Sequence, residues 1–160
     1  IRSQYFDNLE FSITQTYGYA TWYDDDDPGQ SIRTTTNIDV ECKPSSKFQT
    51  AFSFMRYDYK DNDTKENLMD YQIYRNRTTY QINKYLFLRS TIEYNAYEKQ
   101  LLTDYLVSFT YIPGTVIHVG YGSMYEKTQW DENQRDYIKA QEFLTMDRGL
   151  FMKASYNWRF

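Results

Sequence analysis

Apolar and polar positions alternate with a period of two along most of this chain. Successive side chains of a strand point to opposite faces, so this alternation predicts strands that separate two unlike environments. Residues 31–43 show it most clearly. Ile32, Thr34, Thr36, Ile38, Val40 and Cys42 share one parity; Arg33, Thr35, Asn37, Asp39, Glu41 and Lys43 share the other. Residues 11–23 set Phe11, Ile13, Tyr17 and Tyr19 against Ser12, Thr14, Thr16, Gly18 and Ala20. Residues 71–82 oppose Tyr74, Thr78, Tyr80 and Ile82 to Arg75, Arg77, Thr79 and Gln81. Residues 86–95 oppose Leu86, Leu88, Ile92 and Tyr94 to Arg89, Thr91, Glu93 and Asn95. Further strands are predicted over 48–60, 105–111, 117–125 and 149–160, which makes eight. Within 48–60 the phase breaks: Phe48, Phe52 and Phe54 agree, whereas Tyr57 and Tyr59 do not. That predicts a bulge near Met55.

The breaks between strands differ in length. Residues 24–29 (Asp24, Asp25, Asp26, Asp27, Pro28, Gly29), 61–70, 98–103 and 126–147 read as long connections. Residues 44–46, 83–84 and 113–114 read as short turns, two of them built on Pro or Gly. In an up-and-down topology all the long connections fall at one end, an asymmetry of outer-membrane barrels with long extracellular loops and short periplasmic turns. An even strand number puts both termini on the periplasmic side. The expected fold is therefore all-β, an antiparallel up-and-down transmembrane β-barrel with eight strands in a single domain, 1–160. The chain starts at Ile1, which reads as a processed chain or a fragment.

The chemistry of the two parities decides which one meets lipid. One carries Arg33, Asp39, Glu41, Arg75, Arg77, Arg89, Glu93 and His118, together with Gly18, Gly120 and Gly122. Mixed charges among small residues suit a hydrogen-bonded interior. The other parity is apolar, with aromatic residues flanking aliphatic ones, as in Tyr105, Val107, Phe109 and Tyr111. Aromatic girdles around an apolar band belong to membrane interfaces. The last strand is the most specific segment. Leu150, Met152, Ala154, Tyr156, Trp158 and Phe160 alternate with Lys153, Ser155, Asn157 and Arg159, and Phe151 is the one apolar member of the polar parity. A final strand ending in Phe resembles the signal by which the barrel assembly machinery recognises its clients, with Tyr156, Trp158 and Phe160 as its carriers. An amphipathic edge strand can be read by β-augmentation.

Composition adds constraints. A fifth of the 160 residues is aromatic, with 18 Tyr, and mean hydropathy is −0.81. A membrane barrel tolerates that polarity, because only alternate residues must be apolar. No run approaches the roughly 18 apolar residues of a membrane helix. The net charge of −4 argues against a nucleic-acid partner. One cysteine, Cys42, excludes an internal disulfide and a cysteine metal site.

The candidate chemistry is sparse. His118 is the only histidine and reads as a satisfied interior residue, without the spacing of a catalytic triad. The acidic run 24–27 lacks the alternate spacing of a calcium loop and reads as solvated. The Arg cluster could line an anion path, but an internal salt-bridge network with Asp39, Glu41 and Glu93 explains it better. No catalytic residue, metal or cofactor is expected. The function expected is an integral outer-membrane protein with a transport, channel or scaffold role. Its partners would be outer-membrane lipid, the assembly machinery and other outer-membrane subunits. Two alternatives stay open: a rim-sited enzyme or carbohydrate binder using 126–147, and a soluble β-barrel ligand binder.

Two motifs carry a family resemblance. Tyr80-Gln81-Ile82-Asn83-Lys84-Tyr85-Leu86-Phe87-Leu88-Arg89 is one. Ser108-Phe109-Thr110-Tyr111-Ile112-Pro113-Gly114-Thr115, followed by Gly120-Tyr121-Gly122, is the other. Over residues 80–122 the chain resembles the C-terminal barrel-like domain of an uncharacterised Bacteroidota family. The N-terminal part of that family resembles family 9 carbohydrate-binding modules. The resemblance implies the last eight strands of a larger barrel; chain length alone equally allows a closed eight-stranded one. It carries over no functional residue.

Overall fold

The structure is a computed structural model that describes residues 2–23, 29–112, 114–131 and 136–156. Side chains are described over 7–23, 29–112, 114–128 and 140–156. Trp158, Phe160 and the acidic run 24–27 lie outside the described residues.

Nearly every described residue belongs to one antiparallel sheet, as the period-two pattern requires. Its strands are β1 (Arg2–Phe6), β2 (Leu9–Trp22), β3 (Gly29–Ser45), β4 (Phe48–Asp61), β5 (Asn67–Gln81), β6 (Leu86–Asn95), β7 (Gln100–Ile112), β8 (Thr115–Asp131) and β9 (Asp136–Ser155). Each pairs with the next in sequence, so the sheet is a pure up-and-down meander. All eight expected strands are present as β2–β9. The short β1, which carries no clear alternation, is an addition. The sheet is open: β1 and β9 pair with β2 and β8 but not with each other.

Three expectations are corrected. Asn37↔Met55, Ile38↔Phe54 and Thr36↔Arg56 pair in unbroken register, so no bulge exists at Met55. Tyr57 and Tyr59 therefore lie on the opposite face from Phe52 and Phe54. The 126–147 loop is not a loop. β8 runs on to Asp131 and β9 starts at Asp136, with Thr128 opposite Lys139 and Asp131 opposite Asp136. The backbone there satisfies its hydrogen bonds as a hairpin, although charged residues hide the alternation. The 98–103 connection shrinks likewise, because β7 begins at Gln100. The difference between the two ends of the sheet thus lies more in strand length than in loop length.

Irregular register at Met124/Tyr125 and Glu126/Thr128 marks where the distal β8–β9 hairpin departs from the sheet. Such bulges bend a strand. The bend carries Phe143 back over β6, where its ring meets Tyr94 edge-on at 6.3 Å, with Lys127 Nζ 4.9 Å from the Phe143 centroid. At the tip of the β4–β5 hairpin, Asp61 accepts the N–H groups of Asp63 (2.8 Å) and Thr64 (2.7 Å). The Thr64 and Asp63 amides hold its carboxyl below the usual carboxylate range.

Register assigns every side chain to a face, since directly opposed residues share one. The apolar face collects Ile38, Val40, Phe52, Phe54, Leu88, Val107, Phe109, Val119 and Met152. Nothing covers it. Among the described residues no hydrophobic residue is buried, and Leu150 and Met152 are 75% and 70% exposed. A single sheet of this size has no core of its own. Ordering each backbone residue costs about 1–2 kcal/mol, and burial of apolar area is the main term that offsets it.

The apolar face has polar positions too: Thr103, Ser123 and Arg148 form a row on β7–β9, Asp58 on β4 has one buried oxygen without a partner among the described residues, and a stripe on β4 and β5 is linked by hydrogen bonds. Thr50 and Thr78 hydroxyls lie 2.9 Å apart, Asn76 Nδ2 donates to Thr50 Oγ1 at 3.2 Å, and Thr78 Oγ1 donates to Asn76 Oδ1 at 3.1 Å. Nearer the β4–β5 hairpin tip, Arg56 donates to both Asp70 oxygens at 2.8 and 2.9 Å.

Candidate functional site

The other face carries the charges. Across β3 to β7 the register lines up two rows. One is Asp39, Ser53, Arg75, Glu93 and Leu102; the next is Glu41, Ala51, Arg77, Thr91 and Asp104. Ser53 and Ala51 are small, which leaves room beside the two arginines. These residues line one groove of ≈ 510 Å³. Strands as far apart as β3 and β7 bound the same cavity, so the sheet curls with its charged face inward.

Within the groove, Arg75 Nε donates to Glu93 Oε2 at 2.6 Å, and Arg75 Nη2 contacts the same oxygen. Ser53 Oγ donates to Asp39 Oδ1 at 2.5 Å, and Gln49 Nε2 donates to Glu41 Oε1 at 2.7 Å. Lys43 Nζ pairs with Glu41 at 2.5 Å. The expected network is therefore a set of local pairs rather than one connected lattice. Asp39, Glu41, Arg75, Arg77 and Glu93 come together in the groove. Arg33 lies opposite Gly18 and Tyr59, nearer the end where β2 meets β3. Arg89 occupies a neighbouring row, opposite Thr79 and Leu106. His118 is on β8, opposite Ser108 and Lys153. Asp104 was not among the expected residues, although its parity with Ser108 places it on this face.

One ring nitrogen of His118 has no partner among the described residues. Its Nδ1 and the Ser108 Oγ are both buried without a hydrogen-bond partner, so the two groups face each other in register without bonding. The other cross-strand neighbour of His118 is a cation, Lys153, rather than an orienting carboxylate. Among the described residues no group of three or more His, Cys, Asp or Glu is placed to hold a metal ion.

Phe151, the apolar exception on the charged parity, has a local explanation. It pairs with Gly120 across β8–β9, and a Cβ on Gly120 would stand 2.2 Å from its ring. The ring occupies the space the glycine leaves open. Of the expected terminal signal, Tyr156 is described and exposed, just beyond β9.

No protein-family model matches the chain, and a search of curated proteins finds no similar sequence.

Proposed function

We propose that this chain is a β-barrel segment of the bacterial outer membrane, with a transport, channel or scaffold role and no catalysis in this segment. One observation carries the reading: a nine-stranded sheet with a predominantly apolar face that no second layer covers and, among the described residues, no buried hydrophobic residue. Acyl chains are the cover that such a face fits. Strand length supports this. β2–β9 are 10 to 20 residues long, against about 5–6 in an ordinary strand and about 9–11 needed to cross a bilayer. A soluble barrel turns its apolar side inward; here the charged side lines the groove.

In this reading lipid meets the Val107 side of β7, the hairpin tips that include Asp61 face outward from the cell, and the short turns face the periplasm. Tyr156, Trp158 and Phe160 present the closing strand to the assembly machinery. The edges of β1 and β9 close on each other, on further strands or on another outer-membrane subunit, because an unpaired edge invites pairing. The resemblance over residues 80–122 points to further strands. Migration on gels with and without heating, together with detergent dependence, tests the membrane assignment. A protein that stays monodisperse without detergent and migrates identically before and after heating rules it out. Planar-bilayer recordings test the channel role; a folded sample without conductance leaves only the scaffold role.

A further inference from the structure

The tyrosines at the outer end of the charged face do not belong to a lipid girdle. Trp22 shares the parity of Gly18 and Ala20, Tyr59 pairs with Arg33 and Met69, and Tyr57 pairs with Thr35 and Tyr71. All of them project to the concave side. A girdle tyrosine earns its place by facing the membrane interface, so these rings need another explanation.

They form one aromatic strip. Trp22 and Tyr59 have ring centroids 5.4 Å apart, tilted by 54°. Tyr57 and Tyr71 are 6.4 Å apart and tilted by 43°; Tyr71 and Tyr97 are 5.9 Å apart and tilted by 54°. A cavity of ≈ 380 Å³ lies against Trp22, Tyr57, Tyr59, Met69 and Tyr71. None of these rings is buried. The strip is braced from one side: buried Asn95 donates to the Tyr71 hydroxyl at 3.0 Å and to Glu98 at 2.9 Å. The bracing fixes Tyr71 with its ring facing the cavity.

We propose that this strip is a binding site for a neutral oligosaccharide at the mouth of the concave face. The chemistry narrows the class. Tilted rings offer a curved surface for flat apolar faces, and Tyr hydroxyls add polar contacts at its margin. A pyranose has that combination, with axial C–H groups on its faces and hydroxyls around its rim. Among the described residues no ionised side chain lines the cavity, and Glu98 is already engaged by Asn95. A cationic ligand would call for a carboxylate in the lining, and an anionic one for a guanidinium there; Arg33 stands opposite Tyr59 across β3–β4 but is not part of the lining. The site lies on β2, β4 and β5, away from the 126–147 segment. It stands whether or not the sheet closes into a barrel.

The test titrates the folded full chain with cellohexaose and with maltohexaose, by calorimetry and by tryptophan fluorescence. Saturable binding of at least one is expected. Trp22→Ala and Tyr71→Ala should each weaken it about tenfold, as loss of a stacking ring does. Tyr71→Phe keeps the ring and should stay within about twofold, as should Tyr105→Ala on the opposite face. Near-UV circular dichroism confirms folding of each variant. Three results overturn the proposal: no saturable binding by the folded protein; Trp22→Ala and Tyr71→Ala weakening it no more than Tyr105→Ala; or tetramethylammonium binding more tightly than either sugar. Failure of the membrane assignment would show separately, as a detergent-independent protein.

Discussion

The two faces of this sheet share one backbone and differ in nearly everything else. On β7, Tyr105, Val107 and Phe109 project to the uncovered face, and Leu102, Asp104 and Ser108 project into or beside the groove. The uncovered face is mostly apolar along β6–β8, with Ser90, Thr103 and Ser123 among its members, and the Thr50–Asn76–Thr78 group on β4–β5 is internally hydrogen-bonded. That is the condition a polar group must meet where water is absent. The charged face instead holds separate ion pairs beside open space. Among the described residues Arg33, Arg77 and Arg89 make no hydrogen bond or ion pair with a side chain, a state that water tolerates and lipid does not. A difference of one residue in register would exchange the two environments.

Substitutions can break or sharpen this contrast. The largest effect is expected from Val107→Arg, which places a cation on the apolar face. In a bilayer it should cost about 2–4 kcal/mol, read from urea unfolding in liposomes. Leu102→Arg, across from Glu93 on the other face, should change stability by no more than about 0.5 kcal/mol. Equal effects would mean that the faces do not meet different solvents. Gly120→Val comes next. Its side chain collides with Phe151, so a loss of about 1–3 kcal/mol is expected. Phe151→Ala in the same chain should recover part of it, and no recovery would break the Gly120–Phe151 explanation. Of the losses expected, the smallest belongs to Arg75→Met, with only the Leu102→Arg control below it. Arg75 is more than half exposed, so losing its pair with Glu93 should cost about 0.5–1 kcal/mol. A double-mutant cycle with Glu93→Gln would isolate that coupling.

Much of this was legible from alternation alone. Asp39, Glu41, Arg75, Arg77 and Glu93 meet in one groove because even spacing along β3, β5 and β6 keeps them in phase. The failures have physical causes. Tyr57 and Tyr59 break the hydropathy alternation because two large aromatic rings stand on the charged side of a regular strand. Residues 126–147 looked like a loop because a strand that leaves the apolar band need not alternate in hydropathy, while its backbone still pairs. β1 was missed because five residues are too few to show a period. The isolation of Ser108 and His118 depends on side-chain placement, which no spacing reveals.

The central claim is that the Val107 side of β7 faces acyl chains and the Asp104 side does not. Spin labels placed singly at residues 102 to 109, in a chain with Cys42→Ser, measure it directly in liposomes. The account predicts that accessibility to oxygen peaks at 103, 105, 107 and 109, and that accessibility to a water-soluble nickel chelate peaks at 102, 104, 106 and 108. Uniform access of the nickel chelate to both sets, or the opposite phase, would contradict it.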